Sequence, residues 1–495
     1  MAAPALAAKT KTLVHLDAAA AAHMDVGVFG QQAGMQIYTQ IAYVFAATPE
    51  RAAVVATLQT GLARLVAAFP WLGGQVVRAA GADGRRHLHF APLPDGPPPL
   101  VVTDAPLTLT MTALRAAQYP FRLLDESVVA PRRTLPSPAE PAERPVLLVQ
   151  ATFLHGGGLV LTVVGHHAAM DMVGQTAVVD WLAQACRGEA YSADDLAVGN
   201  GDRAGAVDLL DEGAGDPFAL IPEQVLPVEE GESESESEGN GAQPGEAPET
   251  GPPTPPPPIA WSYFHVSQTA LEALKDEATR TLPKAGGIPF VSTNDALSAF
   301  LWQAILRARR ARLTSTSTST SSSPPLSTFA RAVNVRRHLG LPPNYPALLQ
   351  NMTIHTHPVA WVCDASLGAA SAQLRAALLQ PDRLRERTRA LATCLEKHTE
   401  QAGRRLSFVG PVDAAAGGLM LSSWTTAPGV DTDFGLGGQR PVAVRRPQFT
   451  PVESLAYLMP ADGDGTVAVG VCLRAADLAN LQADPEFTKY AQYVG

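Results

Sequence analysis

Between Glu229 and Pro258 the chain offers almost nothing to bury. Eight Glu fall between positions 229 and 249 with no Asp, Lys or Arg among them, and the stretch then runs into Pro255-Pro256-Pro257-Pro258. Such a segment cannot offset the entropy of being ordered and reads as a disordered or extended linker. It divides 495 residues, far too many for one core, into a domain over 1–228 and another over 259–495. The same segment explains the charge: removing its eight Glu from the net charge of −10 leaves −2. A body so near neutral gives no support to nucleic-acid binding. No run approaches the ~18 apolar residues of a membrane span, and Met1–Lys11 is too short and too lysine-bearing for a secretory leader. A cytoplasmic enzyme is expected. Four widely spaced cysteines, Cys186, Cys363, Cys394 and Cys472, lack metal or redox spacing and read as small buried hydrophobes.

In the first half the apolar, β-branched run Leu159–Val164 reads as a buried strand. Val173, Ala177, Val178, Trp181, Leu182 and Ala185 then recur at helical spacing up to Arg187-Gly188. His166 and His167 fall between strand and helix, where scaffold on both sides can hold an imidazole toward a cleft. A neutral imidazole there can take the proton of a hydroxyl or amine as it attacks an acyl carbon. Read alone, a histidine four residues before Asp171 also suits a core. No Gly-x-Ser-x-Gly elbow or His-Glu-x-x-His helix appears, so hydrolysis through serine or zinc has no basis, and direct transfer between two bound substrates is left.

Other elements follow the same rules. Met35–Phe45 reads as a strand, followed by a helix capped by Thr48 with Pro49 in its first turn and the stripe Val54, Leu58, Leu62, Leu65, Val66, Phe69. The stretch 114–136 mixes Pro, Arg and apolar residues and reads as surface chain. Val146–Leu154 and Leu159–Val164 form a hairpin through His155-Gly156-Gly157-Gly158. In the second half, strands are expected at Trp261–Val266, Thr353–Val362, Leu455–Met459 and Val467–Leu473. Helices are expected at 269–280, 366–380 and 383–401, and after a cap at Ser292–Asp295. Thr314–Ser323 reads as an exposed insertion. Seven arginines (307, 309, 310, 312, 331, 336, 337) with no acid between Trp302 and Tyr345 could meet a cosubstrate's phosphates or form a solvated helix end. The fold class is mixed α/β without strict βαβ repetition.

His167-Ala168-Ala169-Met170-Asp171, with Ser422-Ser423-Trp424 and Asp433-Phe434-Gly435-Leu436-Gly437 far downstream, resembles the paired motifs of the BAHD acyltransferases. Phe69–Gly74, Ser292–Phe300, Arg331–Tyr345 and Tyr457–Gly495 extend the resemblance, which is nearest the fungal trichothecene 3-O-acetyltransferase-like branch. The resemblance implies two chloramphenicol-acetyltransferase-like domains with a channel between them. It also implies a monomer that uses acetyl-CoA or another acyl-CoA and no metal, acting on the alcohol of a terpenoid or polyketide. His167 would be the base and Ser422 the oxyanion partner, with Trp424 and His166 lining the substrate site. Asp171 would pair with Arg336 of Val333-Asn334-Val335-Arg336, and Asp433, Gly435 and Gly437 would be structural. Met172, Asn334 and Leu436 stand where the family pattern has Gly, Asp and Trp. Two other readings remain open: a condensation-domain-like enzyme fed by a carrier-protein thioester, suggested by the double histidine, and an inactive relative that only binds a small molecule.

Overall fold

The computed structural model describes residues 12–14, 24–47, 50–80, 86–96, 98–227, 257–315, 324–397 and 404–495. The expected linker lies outside these apart from Pro257 and Pro258, as does the 314–323 tract beyond Ser315. The run after Gly158 forms the strand Leu159–His166, buried along its whole length. It is central to a six-stranded sheet ordered Thr12–Val14, Leu100–Asp104, Leu147–Phe153, Leu159–His166, Tyr38–Phe45, Ala443–Arg445. Its hairpin turn needs three successive positive φ angles, +79°, +105° and +93°, at Gly156, Gly157 and Gly158, which side chains with a Cβ rarely adopt. The register sets Tyr38 opposite His166 and Phe45 opposite Leu159. Helices Arg51–Ala68 and Met172–Cys186 bury their apolar stripes in one cluster with Ile41, Tyr43 and Phe45. The first of them starts at Arg51 with Glu50 at its N-cap and no side-chain cap bond; Thr48 and Pro49, the expected cap and first turn, lie outside the described residues.

The second half builds a seven-stranded sheet ordered Gln350–Pro358, Leu326–Asn334, Leu419–Ser423, Leu455–Ala461, Val467–Arg474, Ile259–Val266, Gln492–Tyr493. Helix Thr293–Ser315 packs Leu297, Phe300, Leu301, Ala304 and Ile305 against it. The expected cap is a reciprocal one: Ser292 Oγ accepts from Asp295 N at 3.1 Å and Asp295 Oδ2 from Ser292 N at 2.8 Å. The halves are also woven together. Ala443–Arg445 joins the first sheet beside Tyr38–Phe45, and Val225–Pro227 pairs with Arg404–Leu406 of the second half.

Several expectations change. The 114–136 stretch is not surface chain: Leu114, Phe121, Leu124 and Val129 are fully buried, on elements too short to show a period, and Phe121 stacks on Tyr263 of the second half at 3.7 Å. The strand expected to Val362 ends at Pro358, whose ring nitrogen cannot donate, and Val359–Asp364 is helical. Strand Leu326–Asn334 was not marked by its sequence pattern. Cys394 and Cys472 are buried, while Cys186 and Cys363 are half-buried. Six of the seven arginines are in ion pairs with acids remote in sequence rather than free for phosphates. Arg307 meets Asp484, Arg309 and Arg312 share Asp477, and Arg310, Arg331 and Arg336 meet Asp364, Asp295 and Asp171.

Candidate active site

The chain leaves the central strand at His166 and turns through His167–Asp171 before the helix begins at Met172. His167 N donates to Ile37 O at 2.7 Å, which fixes the backbone. On its other side this loop is pressed so closely by Gly30 that a Cβ there would run into Ala168 O. The His167 ring is half-buried, with Nδ1 3.1 Å from the Met170 carbonyl oxygen. A carbonyl can only accept, so Nδ1 carries the proton and Nε2 keeps its lone pair. Burial lowers the pKa of His167; the Met170 carbonyl and Asp171 raise it, and Arg446 lowers it further.

Asp171 turns away from that ring. Its Oδ1 accepts from Gly174 N at 2.8 Å, capping the helix, and from Arg336 Nη2 at 2.8 Å. Its Oδ2 accepts from Arg336 Nη1 and from Leu349 N, each at 2.9 Å. Arg336 also donates through Nε to Tyr345 O at 2.8 Å, through Nη2 to Ala347 O at 2.6 Å and through Nη1 to Asn334 Oδ1 at 3.2 Å. All five guanidinium N–H groups and both carboxylate oxygens are thereby engaged, which a buried ion pair requires. Asn334 serves as a neutral acceptor here, so its replacement of the family's Asp adds no second negative charge to the site.

From the second half, Ser422 is the half-buried penultimate residue of the strand Leu419–Ser423, and its Oγ accepts from Trp424 Nε1 at 3.0 Å, which leaves the hydroxyl proton free to point elsewhere. Trp424 is buried against Tyr457 at 5.0 Å. Asn294 holds the neighbouring Ser423 Oγ at 2.7 Å. Asp433, Gly435 and Gly437 sit elsewhere. Asp433 Oδ1 accepts from Gly435 N at 2.8 Å and pairs with Arg440, and Arg187 donates to Asp433 O at 2.6 Å. Gly435 (φ +67°) lies against Cys186 and Arg187, and Phe434 packs on Tyr43 and Phe45. This motif therefore grips the C-terminal end of the helix whose N-terminus carries Asp171, about 22 Å away at 1.5 Å per residue. The second half holds that helix at both ends.

His166 does not line a substrate site. It is fully buried, edge-on to Tyr38 at 5.0 Å, with neither ring nitrogen hydrogen-bonded. His166 is the last residue of a strand buried along its whole length, whereas His167 lies in the turn that follows. Burial pushes its pKa from 6.5 down to about 3. The unfolded chain then binds the extra proton, so stability is lost as pH falls below about 6.5, by about 2 kcal/mol at pH 5. Urea unfolding at pH 7.5 and 5.0 should show that share of the loss missing from His166→Phe; an unchanged loss would remove His166 as its source.

Two arginines gave no sequence signal. Arg203 donates to Ala169 O in the histidine loop at 2.7 Å and lies over Trp71 at 3.9 Å, with burial lowering its pKa to about 9. Arg446 lies among Trp424, Tyr457 and Phe449. Among the described residues no three or more His, Cys, Asp or Glu gather as a metal site, and no helix is long and apolar enough to cross a membrane.

Residues 37–186 match the trichothecene 3-O-acetyltransferase-like N-terminal domain, and residues 260–488 the Transferase family. Trichothecene 3-O-acetyltransferase TRI101 of Fusarium sporotrichioides is 39% identical, over 95% of this chain and 97% of its own. O-acetyltransferase dmxR13 of Cryptosporiopsis sp. is 38% identical, over 96% and 98%. The structure of F. graminearum TRI101 complexed with coenzyme A and deoxynivalenol superposes with a TM-score of 0.82 at 37% identity, covering 96% of this chain and all of that one. Vinorine synthase, at 15% identity and a TM-score of 0.61 over 98% of both chains, shares the fold. The two mixed-sheet domains are thus those of the chloramphenicol-acetyltransferase-like fold, and the chain belongs to the Transferase family, the BAHD acyltransferases, as an acyl-CoA-dependent O-acetyltransferase with a trichothecene 3-O-acetyltransferase-like N-terminal domain.

Proposed function

We propose that this enzyme moves an acetyl group from acetyl-CoA to a hydroxyl of a trichothecene-type terpenoid or a polyketide, with His167 as general base. The observation that carries this reading is the bond from His167 Nδ1–H to the Met170 carbonyl, which leaves Nε2 of a half-buried ring with its lone pair. In this scheme Nε2 takes the acceptor's proton as its oxygen attacks the thioester carbon. Ser422 Oγ–H donates to the carbonyl oxygen as it becomes an oxyanion. The intermediate collapses by expelling CoA thiolate, which recovers the proton from the imidazolium. Trp424 walls the acceptor side, and the reacting centre lies between the halves 1–228 and 259–495. The enzyme acts as a cytoplasmic monomer.

The test is thiol release from acetyl-CoA with deoxynivalenol, the acceptor-type ligand of the F. graminearum relative, followed by a panel of hydroxylated polyketides. Because burial lowers the His167 pKa, the base is neutral down to below the ordinary 6.5. The acid limb of kcat/KM should therefore fall below 6.5. Absence of release with every alcohol offered would end the proposal, and an acid limb above 7 would remove His167 as its source.

A further inference from the structure

Arg446 follows the strand Ala443–Arg445 that the second half lends to the first sheet, so it stands where the two halves meet. It is 2% exposed, yet among the described residues no carboxylate lies within 4 Å of it and its side chain makes no hydrogen bond; its buried Nε is without a partner. Among the described residues Arg203, also buried, meets no carboxylate either, but it donates to Ala169 O at 2.7 Å, and the other buried arginines are ion-paired. Arg445 donates to Asp462 at 2.8 and 2.7 Å, and Arg309, Arg331 and Arg336 each meet a carboxylate. The Arg446 Cζ is instead 4.3 Å from the ring centroid of Phe449, 4.6 Å from that of Tyr457 and 5.2 Å from that of Trp424. Ring faces attract a cation but accept few of its five N–H bonds. Glu126 feels the charge of Arg446 but is not in ion-pair contact with it; its Oε2 accepts from Gln40 Nε2 at 2.9 Å and from Thr134 N at 2.7 Å. The guanidinium therefore lacks an anion at rest.

One of the rings around Arg446 reaches the candidate site. Trp424 links Arg446 to Ser422 through the 3.0 Å bond, and the guanidinium charge is felt at His167. We propose that Arg446 is a catalytic residue, whose guanidinium faces the acyl carbonyl and takes the developing oxyanion as its missing partner. This rests on the acyl-transfer reading above. As the acceptor oxygen bonds to the acyl carbon and its proton passes to His167, the carbonyl π pair moves onto oxygen, between Arg446 and the Ser422 hydroxyl. When the C=O re-forms, the C–S bond breaks, thiolate leaves with the proton, and Arg446 is again unpaired. A cation that binds only the intermediate accelerates the step without tightening substrate binding.

Arg446→Met should lower kcat by about 10²–10³-fold while KM for acetyl-CoA stays within about threefold. Added guanidinium ion should restore part of the rate, and Arg446→Lys should lose less than Met. The acid limb of kcat/KM should also move up in the Met variant, because the charge of Arg446, which lowers the His167 pKa, is then gone while Asp171, which raises it, stays. A kcat near wild type, or a loss that neither lysine nor guanidinium relieves in a variant with unchanged thermal unfolding, overturns the proposal. If Arg446→Met does not fold, Arg446→Gln and Arg446→Lys carry the comparison, and equal kcat in the two overturns it. A wild-type enzyme that releases no thiol with any alcohol defeats the transfer reading as well; normal wild-type turnover with an indifferent Arg446 defeats this inference alone.

Discussion

His167→Ala should reduce kcat by about 10²–10⁴-fold, the range that a positioned general base supplies, while the protein stays folded. The two readouts separate because of where the ring sits. It is half-buried, and among the described residues its one side-chain hydrogen bond is to Met170 O, three residues away in the same loop. The backbone is held independently, by His167 N on Ile37 O and by Arg203 on Ala169 O. Thermal unfolding should therefore move by no more than a few degrees while acetyl transfer collapses. What remains should come from Ser422, Arg446 and the binding of both substrates, and it should lose the acid limb that imidazole titration gives the wild type. Turnover undiminished in His167→Ala, with deoxynivalenol and acetyl-CoA saturating, would remove the imidazole from the mechanism whatever its geometry.

The candidate site was legible in the sequence where its geometry is local. A strand run, two histidines and an Asp that caps the following helix all lie within fifteen residues. The inward position of His166 was not legible, because the strand that carries it is buried at every position and the pattern does not tell one face from the other. Arg336 was legible only through the motif, because its partner is 165 residues away. The arginine-rich stretch misled for the same reason: with no acid nearby it resembled a phosphate site, yet Asp477, Asp484 and Asp364 arrive from other elements. Arg203 and Arg446 gave no signal at all, since each is defined by aromatic rings brought together only in the fold. The lending of Ala443–Arg445 to the first sheet was equally hidden, as a three-residue strand has no usable period.

Arg336→Met should cost about 3–5 kcal/mol of stability, the penalty for leaving a buried charge without its partner. Asp171 would keep Gly174 N and Leu349 N but lose both guanidinium bonds, and Tyr345 O and Ala347 O would lose their donor at the same time. Arg336→Lys should recover little, because an ammonium cannot span two carboxylate oxygens and three further acceptors in one plane. Asp171→Leu with Arg336→Met should be less damaging than the sum of the single changes, with a coupling of about 1–3 kcal/mol in urea unfolding at pH 7.5. Activity should fall further than stability alone accounts for when it is assayed cold, where the single variants remain folded. The pair fixes the last residue of the histidine loop to Leu349 and Ala347 of the second half, so its loss should let His167, the proposed base, drift from the half that carries Ser422. Additive single and double variants would show that the two halves are joined at this point by packing, with the ion pair contributing nothing of its own.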